Sequence, residues 1–151
     1  MSANIDIERA MSAGINKVWQ AWTDPVLILQ WIGSDPNGRG LKAELDVRPG
    51  GHFSITFRNS DETEFTCYGI YDTVNEFNTL SFSWAWENEP GFESFVTVGL
   101  TPFGDNTTKM KFTHAGLWEG SAHDYLEGWG STFEKLERVL VNLCNGLLVQ
   151  T

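Results

Sequence analysis

Apolar residues recur along the chain with changing periods, and each change marks a new element. Over residues 5–11, Ile5 and Ile7 alternate with Asp6 and Glu8, which predicts a strand. Ile15, Val18, Trp19 and Trp22 then share one helical face, with Ser12 in place to cap the helix. Asp24-Pro25 supplies an N-cap followed by proline at the first helical position, opening a second short helix that presents Leu27, Ile28 and Trp31. A loop rich in Gly, Asp, Pro and Asn, residues 33–40, ends it.

Over residues 41–114 the period becomes two. Turn signals at Pro49-Gly50-Gly51, Asn59-Ser60-Asp61, residues 75–78, residues 88–91 and Gly104-Asp105-Asn106 divide this stretch into six strands, which predicts an antiparallel meander. Phe53, Ile55 and Phe57 alternate cleanly, as do Leu80, Phe82, Trp84 and Trp86, then Val96, Val98 and Leu100, then Met110, Phe112 and His114. Ser81, Ser83, Thr97, Lys109 and Lys111 lie between them, so one sheet face is apolar and the other wet. Residues 64–74 have ambiguous parity, because Phe65 and Tyr71 oppose Tyr68 and Val74 unless a bulge intervenes.

After Gly116, Leu126, Trp129, Phe133, Leu136, Leu140, Leu143 and Leu147 recur at steps of three and four. They predict one helix over about residues 122–147, about 40 Å long. The sheet's apolar face and this helix's stripe can bury only each other. The expected fold is therefore α+β, a curved sheet gripping a long C-terminal helix, with residues 1–151 forming one domain. A curved sheet and a straight helix cannot touch along their whole length, so one end must be plugged by large side chains or left open.

Composition narrows the function. With 151 residues, 41% of them hydrophobic, the chain can build its own core without staples. Its formal charge of −10 argues against nucleic acid and against an anionic membrane surface, both of which need a basic face. No run of about 18 apolar residues and no signal-like start appears, so a cytoplasmic protein is expected. Cys67 and Cys144 lack metal-ligand spacing and read as reduced, buried thiols. No cofactor loop, metal motif or nucleophile motif occurs, and nothing compels an enzyme.

These segments resemble a known family. Ile7-Glu8-Arg9, residues 18–25, Gln30-Trp31, residues 48–53, Gly69-Ile70-Tyr71, residues 80–84, Val96-Thr97-Val98, residues 108–114 and Glu127-Gly128-Trp129 leading to Leu136-Glu137 are similar to domains of the heat shock protein 90 ATPase activator family. That family belongs to the helix-grip superfamily of START, birch-pollen-allergen and polyketide cyclase-like proteins. The resemblance implies a seven-stranded antiparallel sheet around the last helix and a cavity between them. Two features depart from the family pattern: the eukaryotic activator's separate N-terminal domain has no counterpart here, and Tyr125 stands where members often carry His, with His123 two residues earlier.

The chain has 13% aromatic residues, many on inward parities, and large flat side chains suit the walls of a small-molecule site. The expected ligand-binding residues are Trp31, Phe53, Ile55, Tyr68, Trp84, Trp86, Val98, Phe112, His114, His123, Trp129 and Phe133. His114, Tyr68 or His123 would orient the ligand. Gly128 and Gly130 interrupt the last helix, for close packing or to soften it as a gate. Three functions fit this reading: a binder of a small hydrophobic or aromatic molecule, a co-chaperone-like module docking on an ATP-dependent chaperone, or a cyclase with His114 as acid or base. A monomer or weak homodimer is expected.

Overall fold

The computed structural model of the chain describes residues 2–144. Strand β1 (Ser2–Met11) leads into helix α1 (Ile15–Thr23) and the single turn α2 (Pro25–Ile28). Six strands follow: β2 (Arg39–Leu45), β3 (His52–Arg58), β4 (Glu64–Asn75), β5 (Thr79–Trp86), β6 (Ser94–Pro102) and β7 (Thr108–Trp118). A 3-10 turn, Glu119–Ser121, then opens α3 (Ala122–Cys144). The seven strands form one antiparallel sheet in the order β1-β7-β6-β5-β4-β3-β2. The expected fold is the observed one: a meander whose last strand accepts the first, wrapped about α3. Leu147, and with it the end of the expected helix, lies outside the described residues, as does the Cys144 side chain.

Local chemistry sets the boundaries. Ser12 is not the cap of α1; the N-cap is Gly14, which makes no side-chain cap bond. Asp24 does cap α2 as expected, its Oδ1 accepting from the amides of Val26 and Leu27 at 2.8 and 3.1 Å. Trp31 Nε1 donates to the Ala21 carbonyl at 3.0 Å and fastens the two short helices together.

The ambiguous parity of β4 resolves through a bulge. Tyr71 pairs with Phe82 but Val74 pairs with Leu80, so β4 carries one extra residue there and its inward set switches parity. Ser81, expected on the wet face, is buried, and its Oγ accepts the Thr73 amide at 3.0 Å. Ser83 does the same for Ile70 at 2.9 Å, so both hydroxyls serve amides of the irregular strand. Gly69 lets β4 bend inward, since a Cβ there would collide with the Ser83 carbonyl oxygen and approach Phe53 Cε2 to 2.7 Å.

Helix α3 buries Trp129, Phe133, Leu136, Leu140 and Leu143 against the sheet, while Leu126 is exposed. Trp22 reaches in from α1 and meets the rings of Trp31, Phe82, Phe112, Trp129 and Phe133 at centroid distances of 4.8–6.4 Å. That cluster fills the middle of the space between helix and sheet. Among the described residues no helix is long and apolar enough to cross a membrane.

Candidate functional site

Beside the N-terminal half of α3 the filling stops. A cavity of about 270 Å³ opens there, close to the lower end of volumes typical for small-molecule sites. The sheet contributes Phe57, Phe65, Trp84 and Trp86; α3 contributes Asp124, Tyr125, Gly128, Trp129 and Thr132. Ile32, Gly33 and Ser34 close one side, and Asn59, Asn88 and Glu89 come from hairpin ends. Asn88, Glu89 and Asp124 are exposed and form the mouth. Gly33 adopts φ +96°, and its missing Cβ leaves room for Phe57 Cδ2, which would lie 2.9 Å away.

Hydrogen bonds from sheet to helix hold the walls. Trp86 Nε1 donates to the Tyr125 hydroxyl at 2.8 Å. Trp129 Nε1 donates to His114 Nδ1 at 3.0 Å, and His114 Nε2 lies 2.7 Å from Ser94 Oγ. Because an indole N–H can only donate, the neutral imidazole carries its proton on Nε2 and donates it to Ser94, whose hydroxyl donates onward to the Trp84 carbonyl at 3.3 Å. Among the described residues Trp84 Nε1 has no hydrogen-bond partner, and it is shielded from solvent. Trp84 and Ile32 also border a much smaller inner void beside Trp22 and Tyr71, and the Trp22 Nε1 donor is likewise unpaired.

Another set of bonds pins the rim. Lys135 Nζ donates to the carbonyls of Ile32 and Asp35 at 3.2 and 3.0 Å, and Ser131 Oγ donates to the Ser34 carbonyl at 2.7 Å. Asp35 Oδ2 accepts from both the amide and the hydroxyl of Ser60 at 2.7 Å, joining the rim to the β3–β4 turn. Those Ser60 bonds, with one from the Asn37 amide, hold the Asp35 carboxyl below its ordinary range.

Burial shifts the other titrations. It pushes His114 down to about 4, raises the Cys67 thiol, lowers Lys135, and raises Tyr125, to which nearby Glu89 adds. The Cys67 thiol is free, buried and thus unreactive. Among the described residues no three His, Cys, Asp or Glu side chains gather as metal ligands.

Of the expected binding residues, Trp84, Trp86 and Trp129 line the cavity, and Phe53 and Ile55 line the inner void with Trp84. Trp31, Val98, Phe112 and Phe133 are packed core, at most 1% exposed. His114 shares their burial, with both nitrogens engaged, so it stands behind the wall instead of on it. Tyr68 points outward from β4 and is exposed. His123 is exposed on α3 and pairs with Glu127 at 2.8 Å. The wall members absent from the expectation are chiefly Phe57, Phe65 and Tyr125. Phe57 and Tyr125 carried the signal, by strand parity and by one helical turn before Trp129, while Phe65 needed the bulge to be known. Close packing does not explain the helix glycines: among the described residues a Cβ on Gly128 would meet only Ser34 Cβ at 3.5 Å, and one on Gly130 would meet nothing within 4 Å.

Known proteins agree with this architecture. A solved protein of Nitrosomonas europaea superposes with a TM-score of 0.81 at 21% identity, over 94% of this chain and 96% of its own. An AHSA1-like protein from Aeromonas hydrophila gives 0.79 at 21% identity, over 99% and 98%. A protein of Mesorhizobium loti gives 0.73 at 27% identity, over 93% and 98%. No curated protein matches the chain. The family model described as Activator of Hsp90 ATPase homolog 1-like protein matches residues 12–141, and the chain belongs to that family, within the helix-grip superfamily.

Proposed function

We propose that the protein reversibly binds a small, largely apolar, ring-containing molecule in the cavity between the sheet and the N-terminal half of α3. The observation that carries this reading is an aromatic-walled opening of about 270 Å³ at the edge of the hydrophobic core. A guest burying roughly 200 Å² of apolar surface would gain about 5 kcal/mol before the cost of immobilisation, which suits exchangeable rather than permanent binding. The Tyr125 hydroxyl, which accepts from Trp86, keeps its own proton to offer, and Asn59 and Asn88 add polar groups near the mouth. A titration with N-phenyl-1-naphthylamine tests the reading: saturable change of probe emission in the native protein, abolished in Gly128→Phe, which plugs the cavity. Equal response of both proteins would overturn it.

A co-chaperone role is the second reading, favoured by the family and by the outer sheet face, where Tyr68 and Ile70 on β4 and Phe95 on β6 are exposed at 39, 44 and 37%. Capture of an ATP-dependent chaperone that persists in Gly128→Phe but fails in Ile70→Asp would support it. The cyclase reading loses its acid-base group, since His114 is enclosed and its two nitrogens are engaged.

A further inference from the structure

Resting on the ligand-binding reading above, we propose that the pocket selects organic cations, namely small ring compounds bearing a protonated amine or a quaternary nitrogen, and discriminates against carboxylates. Six of the lining residues are aromatic: Phe57, Phe65, Trp84, Trp86, Tyr125 and Trp129. Their rings meet edge to face, with Trp84 against Trp86 at 89° and 5.4 Å, Trp86 against Phe65 at 70° and 6.0 Å, and Trp84 against Trp129 at 60° and 5.2 Å. Mutually inclined rings around one volume cannot all turn only their edges to it, so the wall offers ring faces to a guest. An ammonium within about 6 Å of a ring centroid is attracted by each face, and indole is the best of them.

The charges at the pocket have a single sign. Glu89 and Asp124 are the charged residues among those lining it, and neither is ion-paired among the described residues. Asp124 also serves the first turn of α3, where a carboxylate is favoured by the helix dipole. Glu89 follows β5 in a turn, has no such helical duty, and lies near enough to the Tyr125 hydroxyl to raise its pKa. Nearby cations are committed elsewhere: Lys135 to the Ile32 and Asp35 carbonyls, and Arg58 to Glu64 at 2.7 Å. An entering carboxylate would therefore meet two like charges and no counter-ion, whereas an ammonium meets two carboxylates and the ring faces behind them. The formal charge of −10 extends the same preference to the approach.

The inner end has a different polarity. Trp84 is 4% exposed and its Nε1–H is unpartnered at the wall shared by the cavity and the inner void. With that donor shielded, the inner end offers mainly apolar surface, and a guest with its cation at the mouth and its ring at the buried end would match both ends.

Three indoles that differ in side-chain charge test this by isothermal calorimetry on the full chain: tryptamine (cation), tryptophol (neutral) and indole-3-acetate (anion). The expected order is tryptamine about three- to tenfold tighter than tryptophol, with indole-3-acetate weakest. The tryptamine preference should shrink in 0.5 M salt, fall in Glu89→Gln and fall further in Glu89→Gln/Asp124→Asn. Equal affinities for the three, tightest binding of the acid, or a preference untouched by Glu89→Gln would overturn the charge selection while leaving the ligand-binding reading standing. Absence of heat with all three, matched by Gly128→Phe, would overturn both.

Discussion

Trp129 Nε1 donates to His114 Nδ1 across 3.0 Å, and this bond determines how both residues behave. The imidazole must be neutral to accept it, and burial already drives its pKa from 6.5 to about 4. Protonation would place a second N–H against the indole N–H. The unfolded chain thus takes up a proton near pH 6.5 that the folded chain refuses until about pH 4, so stability is fully present above pH 6.5 and declines as pH falls toward 4. The loss should amount to about 3 kcal/mol across that window. Urea midpoints measured from pH 7 to pH 4.5 should fall steadily in the native protein, and His114→Gln should flatten the slope between pH 6.5 and 5. A native profile that is already flat there would contradict the assignment.

Lys135 should matter more to the rim than to charge. Its Nζ satisfies the carbonyls of Ile32 and Asp35, so Lys135→Met keeps the packed stem but strands the ends of those bonds. A destabilisation of about 2 kcal/mol is expected, together with faster amide exchange over residues 32–38 and weaker probe binding. Native-like exchange in the variant would show that the loop holds itself.

Gly130→Ala places a methyl in open space, and the helix should gain up to about 1 kcal/mol, a rise of about 2–4 °C in melting temperature. If the glycine pair softens a gate, the same variant will also slow probe association in stopped flow. Unchanged association in a stabilised protein would leave the glycines without a gating role.

Much of the fold could be read from period alone, because the inward positions of β3, β5, β6 and β7 alternate cleanly and Trp129, Phe133, Leu136, Leu140 and Leu143 keep one helical stripe. The exceptions have local causes. Gly14 starts α1 through backbone geometry alone, so no side-chain signal competes with Ser12. The β4 bulge reverses parity after Tyr71, which hid Phe65 from the wall and Ser81 from the interior. The site was less legible, since parity says that Phe112, Val98 and Trp84 face inward but not which of them touch a void. That depends on Trp22, which enters from a different element and stacks against Phe112 at 6.2 Å, leaving Trp84 and Trp129 to border the opening. His114 has the expected parity, yet the two tryptophans stand in front of it, with ring centroids 5.9 and 6.0 Å away.

The seven tryptophans make the most direct test of the cavity as the binding site, because their indole N–H groups give separate signals in a proton–nitrogen correlation spectrum. Titration with tryptophol should shift Trp84, Trp86 and Trp129 and leave Trp31, tied to the Ala21 carbonyl, and Trp118, 65% exposed on the surface, in place. Shifts confined to Trp118, or no shift at saturating ligand, would contradict the account.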